Sequence, residues 1–124
     1  MRLLLDTHVL IWWSGGPSLA PPAAEAVGSP ENEVLVSVAS TWEAEIKAAT
    51  GKLRLEADLE AEPAEHGFKS LEVTARHAVA AARLPRHHND PFDRMLVAQA
   101  QLEGLTLLTR DPVFENYAVA VLKA

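Results

Sequence analysis

The sequence contains no cysteine among its 124 residues, and it has no long apolar run. The missing cysteine excludes disulfide bonds, zinc–thiolate sites, iron–sulfur clusters and a cysteine nucleophile, and it is compatible with a reducing compartment. The longest unbroken apolar run, residues 117–122, has six residues, whereas a membrane-spanning helix needs about 18. Asp6 interrupts the apolar residues 3–5 before they reach the length of a signal-peptide core. We therefore expect a cytoplasmic protein without a membrane span.

Basic residues are also scarce, with 11 Lys and Arg against 17 Asp and Glu, which gives a net charge of −6. This balance argues against a general nucleic-acid coat protein, because nonspecific phosphate binding depends on clustered cations. The argument weakens if several of the acids belong to one metal site, since the remaining surface is then close to neutral. The length and the 48% apolar composition predict one compact domain over residues 1–124.

Short apolar runs alternate with helical patterns along the chain. Continuous apolarity is typical of strands buried on both faces, and it predicts strands at residues 3–5, 33–37, 68–73, 105–109 and 119–122. Helical spacing and helix-breaking residues predict helices at residues 8–13, 21–27, 40–50, 56–66, 74–84 and 90–103. Residues 14–17 end the first of these helices, and Pro63 interrupts the fourth. This order predicts an α/β domain with a mostly parallel sheet.

Two predicted helices begin with distinctive signals. Ser40 and Glu43 have the spacing of a capping box, and apolar residues including Trp42 follow on one helix face. The second helix begins with Asp90 as the N-cap, proline at the first helical position and Asp93 in the first turn.

Four acids are predicted at the same edge of the sheet. Asp6 and Asp111 follow predicted strands, and Glu43 and Asp93 lie in first turns of helices. In open parallel sheets the functional crevice lies beyond the carboxyl ends of the strands. Converging carboxylates repel by roughly 1–4 kcal/mol per close pair, so they need a cation or raised pKa values. All-oxygen ligands favour Mg²⁺ or Mn²⁺, whose chemistry includes phosphodiester hydrolysis.

Each of these acids also has a purely structural interpretation. A capping box alone would explain Glu43, and helix N-termini favour acids such as Asp90 and Asp93. Asp6 and Asp111 would serve equally as turn-starting aspartates. The joint occurrence of the acids at one edge is what favours a metal site.

The segments LLLDTHVLIWW, SVASTWEAEIKAATGKL, LPRHHNDPFDRMLVAQA and LTLLTRDPVF resemble, in order and spacing, the PIN-domain ribonucleases, specifically the VapC-type toxins of bacterial toxin–antitoxin pairs. The resemblance covers nearly the whole chain. It implies a three-layer α/β/α sandwich around a five-stranded, mostly parallel sheet. It also implies an Mg²⁺- or Mn²⁺-dependent endoribonuclease that hydrolyses RNA with metal-activated water, inhibited by a cognate VapB-type antitoxin, and a homodimer.

The resemblance assigns catalytic and metal-binding roles to four acids, the last being the least essential: Asp6, Glu43, Asp93 and Asp111. Three further residues are expected to support the carboxylates or the water at the metal: Thr7, Asp90 and Thr109. Cations that flank the acidic motifs are candidates for RNA binding: Lys47, Lys52, Arg86 and Arg94. A solvated surface is the alternative for these cations, because Lys47 also forms an i, i+4 pair with Glu43.

Two pairs of adjacent residues, His87-His88 and Trp12-Trp13, have patterns that do not determine their roles. His87 and His88 are expected to be solvated loop residues that contact RNA, since an all-oxygen metal site does not need them. Trp12 and Trp13 cannot both face the core from one short helix. Either one of them contributes to an exposed apolar patch that binds a second copy or an antitoxin, or neighbouring loops bury both.

Other acid-rich α/β proteins fit less well. A receiver domain needs a lysine after a late strand, where this chain has Arg110, and a dehalogenase-type phosphatase needs a second acid where it has His8. The remaining alternative is an inert PIN-like module that binds RNA or protein without cutting.

Overall fold

The computed structural model describes residues 1–15, 19–55 and 57–124. In these residues the strands are β1 (Arg2–Leu5), β2 (Glu33–Ser37), β3 (Lys69–Leu71), β4 (Thr106–Thr109) and β5 (Val121–Lys123). The helices are α1 (Thr7–Trp13), α2 (Pro21–Gly28), α3 (Val38–Ala49), α4 (Glu62–Glu65), α5 (Ala75–Ala82) and α6 (Pro91–Glu103), and a short 3₁₀ helix follows at Pro112–Asn116. Within the described ranges, no helix is both long and apolar enough to cross a membrane.

The five strands form one sheet in the order β3-β2-β1-β4-β5, and all four pairings are parallel. Leu4 of the central strand lies between Leu35 of β2 and Leu107 of β4. Leu3 and Leu5 pack in a core cluster with residues of α1 and α2, whereas Leu4 packs in a second cluster with residues of α6. The predicted three-layer sandwich around a five-stranded sheet is therefore confirmed. The three inner strands β1, β2 and β4 are largely buried, as their continuous apolarity indicates. The edge strands β3 and β5 are half-buried or exposed.

The start of α3 differs from the prediction. The N-cap is Ser37, whose Oγ accepts a hydrogen bond of 3.1 Å from the amide of Ala39. Ser40 and Glu43 lie inside the helix with buried side chains, so the predicted capping box is wrong. The reason is that β2 ends at Ser37 and α3 begins at the next residue, without a loop between them. The capping-box spacing of Ser40 and Glu43 gives no information about this direct connection.

Other boundaries follow local signals. Thr74 caps α5, and its side chain and that of His77 form a capping box. Gly104, with φ +66°, ends α6 in the left-handed conformation that favours glycine. The helix predicted over residues 56–66 is confined to α4, with Pro63 in its first turn, where the missing N–H is tolerated. The predicted helix start at position 56 and part of the predicted stop at 14–17 lie outside the described residues.

One face of α3 is apolar but exposed to solvent. The side chains of Val38, Trp42 and Ile46 are 43%, 62% and 38% exposed, and we call them the α3 apolar stripe. The helix packs against the domain through Glu43 and Ala44 instead, which are buried. The apolar periodicity of α3 therefore marks an exposed face of the helix rather than the side that faces the core.

The two adjacent tryptophans of α1 are both half-buried and pack against the first core cluster. The ring of Trp13 contacts Phe68, with centroids 6.0 Å apart. The guanidinium of Arg110 lies 4.1 Å from the centroid of the Trp12 ring. Neighbouring segments therefore cover both rings in part, and neither tryptophan is strongly exposed.

Candidate active site

Asp6 lies at the carboxyl end of the central strand, where the chain turns into α1. Its side chain is buried, and its Oδ2 accepts a hydrogen bond of 2.8 Å from Thr109 Oγ1 at the end of β4. Its Oδ1 has no hydrogen-bond partner among the described residues. Burial raises the pKa of Asp6 above its usual range, although the Thr109 hydrogen bond works in the opposite direction.

Glu43 enters the same region from α3 and is only 6% exposed. Its Oε2 lies 3.2 Å from the Nζ of Lys47, one turn further along the helix. Its Oε1 is buried and makes no hydrogen bond within the part of the chain that the structure describes. Burial is the main cause of the raised pKa values of Asp6 and Asp93, and the negative charge of Glu43 adds to both.

Asp93 projects from the first turn of α6, and its Oδ2 lies 2.7 Å from Nε2 of His88. Burial raises the pKa of Asp93 to about 7, and the negative charges of Asp6, Asp90 and Glu43 add to this effect. The hydrogen bond with His88 opposes the rise but does not cancel it. We refer to Asp6, Glu43 and Asp93 as the acid cluster.

Asp90 and Asp111 each cap a helix near this cluster. Asp90 Oδ1 caps α6 by accepting a hydrogen bond of 2.9 Å from the amide of Phe92. Asp111 is exposed, and its Oδ1 caps the 3₁₀ helix by accepting a hydrogen bond of 3.0 Å from the amide of Val113. The backbone N–H of Asp111 donates to Thr109 Oγ1 at 3.1 Å, so Asp111 reaches the acid cluster through that hydroxyl.

Two buried hydroxyls accompany the acids. Thr7 Oγ1 and Ser40 Oγ make no hydrogen bond to any described residue, although both side chains are almost fully buried. Thr7 follows Asp6 directly, and Ser40 lies one helical turn before Glu43. The sequence did not single out Ser40 as more than a cap, because its burial depends on how α3 packs.

The donor set fits a divalent cation. Buried carboxylate oxygens without partners are costly, so Asp6 Oδ1 and Glu43 Oε1 favour a bound species that satisfies them. Hard cations such as Mg²⁺ prefer oxygen ligands of this kind. Among the described residues, the group whose potential ligand atoms lie within 4.8 Å of one another is His88, Asp90 and Asp93, so Asp93 is the member of the acid cluster that belongs to it.

Two residues have roles that the sequence did not predict. His88 was expected to be a solvated loop residue, but its ring contacts Asp93 and is half-buried. Arg94 was expected to bind RNA, but its guanidinium donates to backbone carbonyls in the last turn of α5 and in the loop that follows, including Ala81 O and Leu84 O at 2.9 Å. Sequence signals do not reveal either contact, because both join residues across a loop with no regular structure.

The other predicted cations lie on the surface near the acids. Lys47 and Lys52 border an open cleft of about 520 Å³ that reaches Glu43 and Phe92. Arg86 is exposed in the loop that leads to His88. The cleft is therefore lined by apolar side chains, by two lysines and by Glu43, the member of the acid cluster that reaches it.

Comparisons with known proteins identify the family of this chain. The PIN domain family model matches residues 3–120. Ribonuclease VapC22 of Mycobacterium tuberculosis is 31% identical over 113 residues, which cover 88% of this chain and 86% of the relative. The VapBC2 structure from Rickettsia felis, bound to a DNA fragment of its promoter, has a TM-score of 0.70 at 12% identity and covers 99% of this chain and 98% of that one. A toxin–antitoxin complex from Klebsiella pneumoniae has a TM-score of 0.68 at 24% identity, with 97% and 95% covered. The chain therefore belongs to the PIN domain family.

Proposed function

We propose that the protein is a metal-dependent endoribonuclease, the toxin of a VapC-type toxin–antitoxin pair, acting in the cytoplasm as a single domain over residues 1–124. The observation that carries this proposal is that two buried carboxylate oxygens, Asp6 Oδ1 and Glu43 Oε1, accept no hydrogen bond from the described residues. Asp6 Oδ1 lies 3.9 Å from His8 Nδ1, and the negative charges of Asp6 and Glu43 both act on Asp93. The 31% identity to a ribonuclease over most of the chain supports RNA as the substrate.

Asp6, Asp93 and Glu43 are the residues that would hold Mg²⁺ or Mn²⁺. When bound, such an ion supplies an activated water and stabilises the charge that develops on the phosphate. The Thr109 hydrogen bond fixes the Asp6 carboxylate so that Oδ1 remains available. Lys47 engages only one oxygen of Glu43, which leaves Oε1 either to bind the cation or to hold the attacking water.

The remaining members of the site support these acids in our proposal. Asp111 stays the least important of the four acids, because it is exposed and its carboxylate already caps the 3₁₀ helix. Lys52 and Arg86 are the cations that would contact RNA phosphates, with Lys47 contributing beside Glu43. Arg94 does not belong to this group, because backbone carbonyls engage its guanidinium.

A VapB-type antitoxin is the partner that we propose, with the α3 apolar stripe as the surface that it covers. Ile46 of the stripe lines the same cleft as Glu43 and Phe92, so a chain lying on the stripe can reach the acids and block them. Trp42 is anchored beside this cleft, with its ring centroid 5.3 Å from that of Phe92. We propose a homodimer as well, which light scattering on the purified toxin would test.

The decisive experiment is cleavage of a labelled total-RNA or transfer-RNA pool by purified, antitoxin-free protein. Reactions contain Mg²⁺, Mn²⁺ or EDTA, and Asp6→Asn protein purified in parallel serves as the contamination control. Discrete fragments that require the metal and disappear with the variant would support the proposal. Metal binding without any cleavage of these RNAs would contradict it and favour an inert PIN-like binding module.

A further inference from the structure

The loop between α5 and α6 presents one histidine ring to the acid cluster in a defined protonation form. His88 Nδ1 accepts a hydrogen bond of 3.0 Å from the backbone amide of Asn89. A nitrogen that accepts an N–H bond carries no proton, so in the neutral ring the proton resides on Nε2. That nitrogen lies 2.7 Å from Asp93 Oδ2. His88 therefore donates to the carboxylate through Nε2–H.

Side chains from outside the loop hold its backbone in place. The hydroxyl of Tyr117 accepts a hydrogen bond of 2.9 Å from the amide of His88 and donates one of 3.0 Å to Pro85 O. Arg94 donates to Pro85 O at 3.0 Å and to His88 O at 3.3 Å. Because Arg94 follows Asp93 in α6, the same helical turn that carries the acid also fixes the loop that carries the histidine.

This arrangement suits the electrostatics of the cluster. Asp93 faces the negative charges of Asp6, Asp90 and Glu43, so a freely rotating carboxylate would turn away from them. A cationic partner such as lysine would hold the carboxylate but would also compete with a divalent cation. A neutral imidazole N–H orients the carboxylate and leaves the negative potential of the cluster in place.

We propose that His88 is a positioning residue that holds the Asp93 carboxylate through its Nε2–H, occupying Oδ2 so that Oδ1 stays directed to the cation and substrate. The catalytic consequence rests on the proposed function, whereas the hydrogen bond and its effect on cation binding do not. Partners that hydrogen-bond ligating carboxylates typically contribute about 10–100-fold to metal affinity or activity. His88 therefore acts on the reaction through Asp93 and not by contact with RNA.

A matched pair of variants separates this role from simple packing. In His88→Gln the amide nitrogen reaches the position of the imidazole Nε2 and can still donate to Asp93. In His88→Asn the shorter side chain reaches only the position of Nδ1, so it can still accept from the amide of Asn89 but cannot reach Asp93. Calorimetric titration with Mn²⁺ alone, at pH 8, measures cation affinity, and circular dichroism verifies that both variants fold.

We expect His88→Asn to weaken Mn²⁺ binding by about 10–100-fold and His88→Gln to recover most of that loss. The wild-type protein gives a second readout, since ¹⁵N spectra of labelled histidine should show the Nε2–H tautomer of His88 both without cation and with Mg²⁺. Equal Mn²⁺ affinities in the wild type and both variants would overturn the proposal. So would a change of Nε2 to an unprotonated nitrogen on Mg²⁺ addition, which would make His88 a metal ligand.

RNA cleavage is measured separately, so the two proposals fail independently. One possible outcome is that the wild-type protein cuts no RNA, while His88→Asn binds Mn²⁺ more weakly than His88→Gln as expected. This outcome would support the role of His88 and contradict the ribonuclease proposal. A protein that cuts RNA equally well with asparagine or glutamine at position 88 would contradict the role of His88 alone.

Discussion

Thr109 and Asp6 are 103 residues apart in the chain and are joined by a hydrogen bond of 2.8 Å between Thr109 Oγ1 and Asp6 Oδ2. They meet because β1 and β4 are neighbouring parallel strands that end at the same edge of the sheet. The same hydroxyl accepts the backbone N–H of Asp111. One threonine thus connects the first and the last acidic motifs and leaves Asp6 Oδ1 as the oxygen for a ligand.

Replacing Thr109 with valine should lower the free energy of unfolding by about 1–3 kcal/mol, because the shape is kept while a buried carboxylate loses its donor. Urea denaturation measures the change. The control is Thr106→Val, in the same strand but half-buried and away from the acids. It should lower the free energy of unfolding by less. Equal losses of unfolding free energy in the two variants would show that the Thr109–Asp6 hydrogen bond does not contribute to stability.

Asp93→Asn should leave the metal-free protein folded and at least as stable as the wild type at neutral pH, because it removes a buried charge from a group of like charges. The variant should lose the rise in melting temperature that Mn²⁺ gives the wild type. Differential scanning calorimetry with and without Mn²⁺ tests both expectations. Glu115→Gln, which replaces an exposed acid, should keep the full Mn²⁺ effect, and a Mn²⁺ effect that survives in Asp93→Asn would remove Asp93 from the metal site.

The stability of the metal-free protein should fall as the pH rises from about 4 to 7. The pKa of Asp93 is 3.8 in the unfolded chain and about 7 in the folded protein, so the folded state binds more protons in this window. The stabilisation from protonated Asp93 is complete below the pKa of the unfolded chain and is lost as the pH rises through the pKa of the folded protein. The free energy of unfolding falls by at most ~1.4 kcal/mol per pH unit for one proton. The raised pKa of Asp6 acts in the same direction.

Urea denaturation in EDTA across this pH range measures the effect as the difference between the wild type and Asp93→Asn. We expect the advantage of the variant to grow with pH. Parallel stability curves for the two proteins would mean that Asp93 titrates alike in the folded and unfolded states.

Arg94→Lys should lower the free energy of unfolding by about 2–3 kcal/mol, because lysine cannot supply the several donors that the guanidinium directs to loop carbonyls. It should also weaken Mn²⁺ binding, since the loop that presents His88 loses its support. Thermal denaturation and calorimetric titration measure the two effects. Arg86→Lys, in the exposed part of the same loop, should change neither by a comparable amount, and similar results for both arginines would refute the structural role of Arg94.

Trp42→Ser should change stability by less than about 1 kcal/mol, because the side chain is 62% exposed. It should nevertheless weaken binding of a cognate VapB-type antitoxin at least tenfold, as expected for a central aromatic residue of an interface. Surface plasmon resonance provides the affinities. Val79→Ser, which removes an exposed apolar side chain from α5, should bind like the wild type. Undiminished antitoxin binding by Trp42→Ser would place the partner elsewhere.

The sequence by itself determined the order of the elements and the edge where the acids gather. Buried parallel strands require continuous apolar runs such as residues 3–5, and Asp90 with Pro91 defines the start of α6. Once the strands are parallel, the residues that follow them must share one edge of the sheet, so Asp6 and Asp111 are expected at that edge. That Asp6 touches Thr109 depends on β1 and β4 being neighbours, which the strand order decides. The order of the elements and the shared edge depend on local chemistry and strand direction, which the sequence encodes directly.

Only the tertiary structure decided which atoms meet. Periodicity placed Trp42 on an apolar face of α3 but could not tell whether that face would be covered, because covering depends on how the neighbouring helices pack. The pattern His87-His88 could not reveal that one ring donates to Asp93, since that contact requires a loop that Arg94 of α6 and Tyr117, which follows the 3₁₀ helix, hold in place. Contacts of this kind arise from side chains that converge in space without any fixed spacing in sequence.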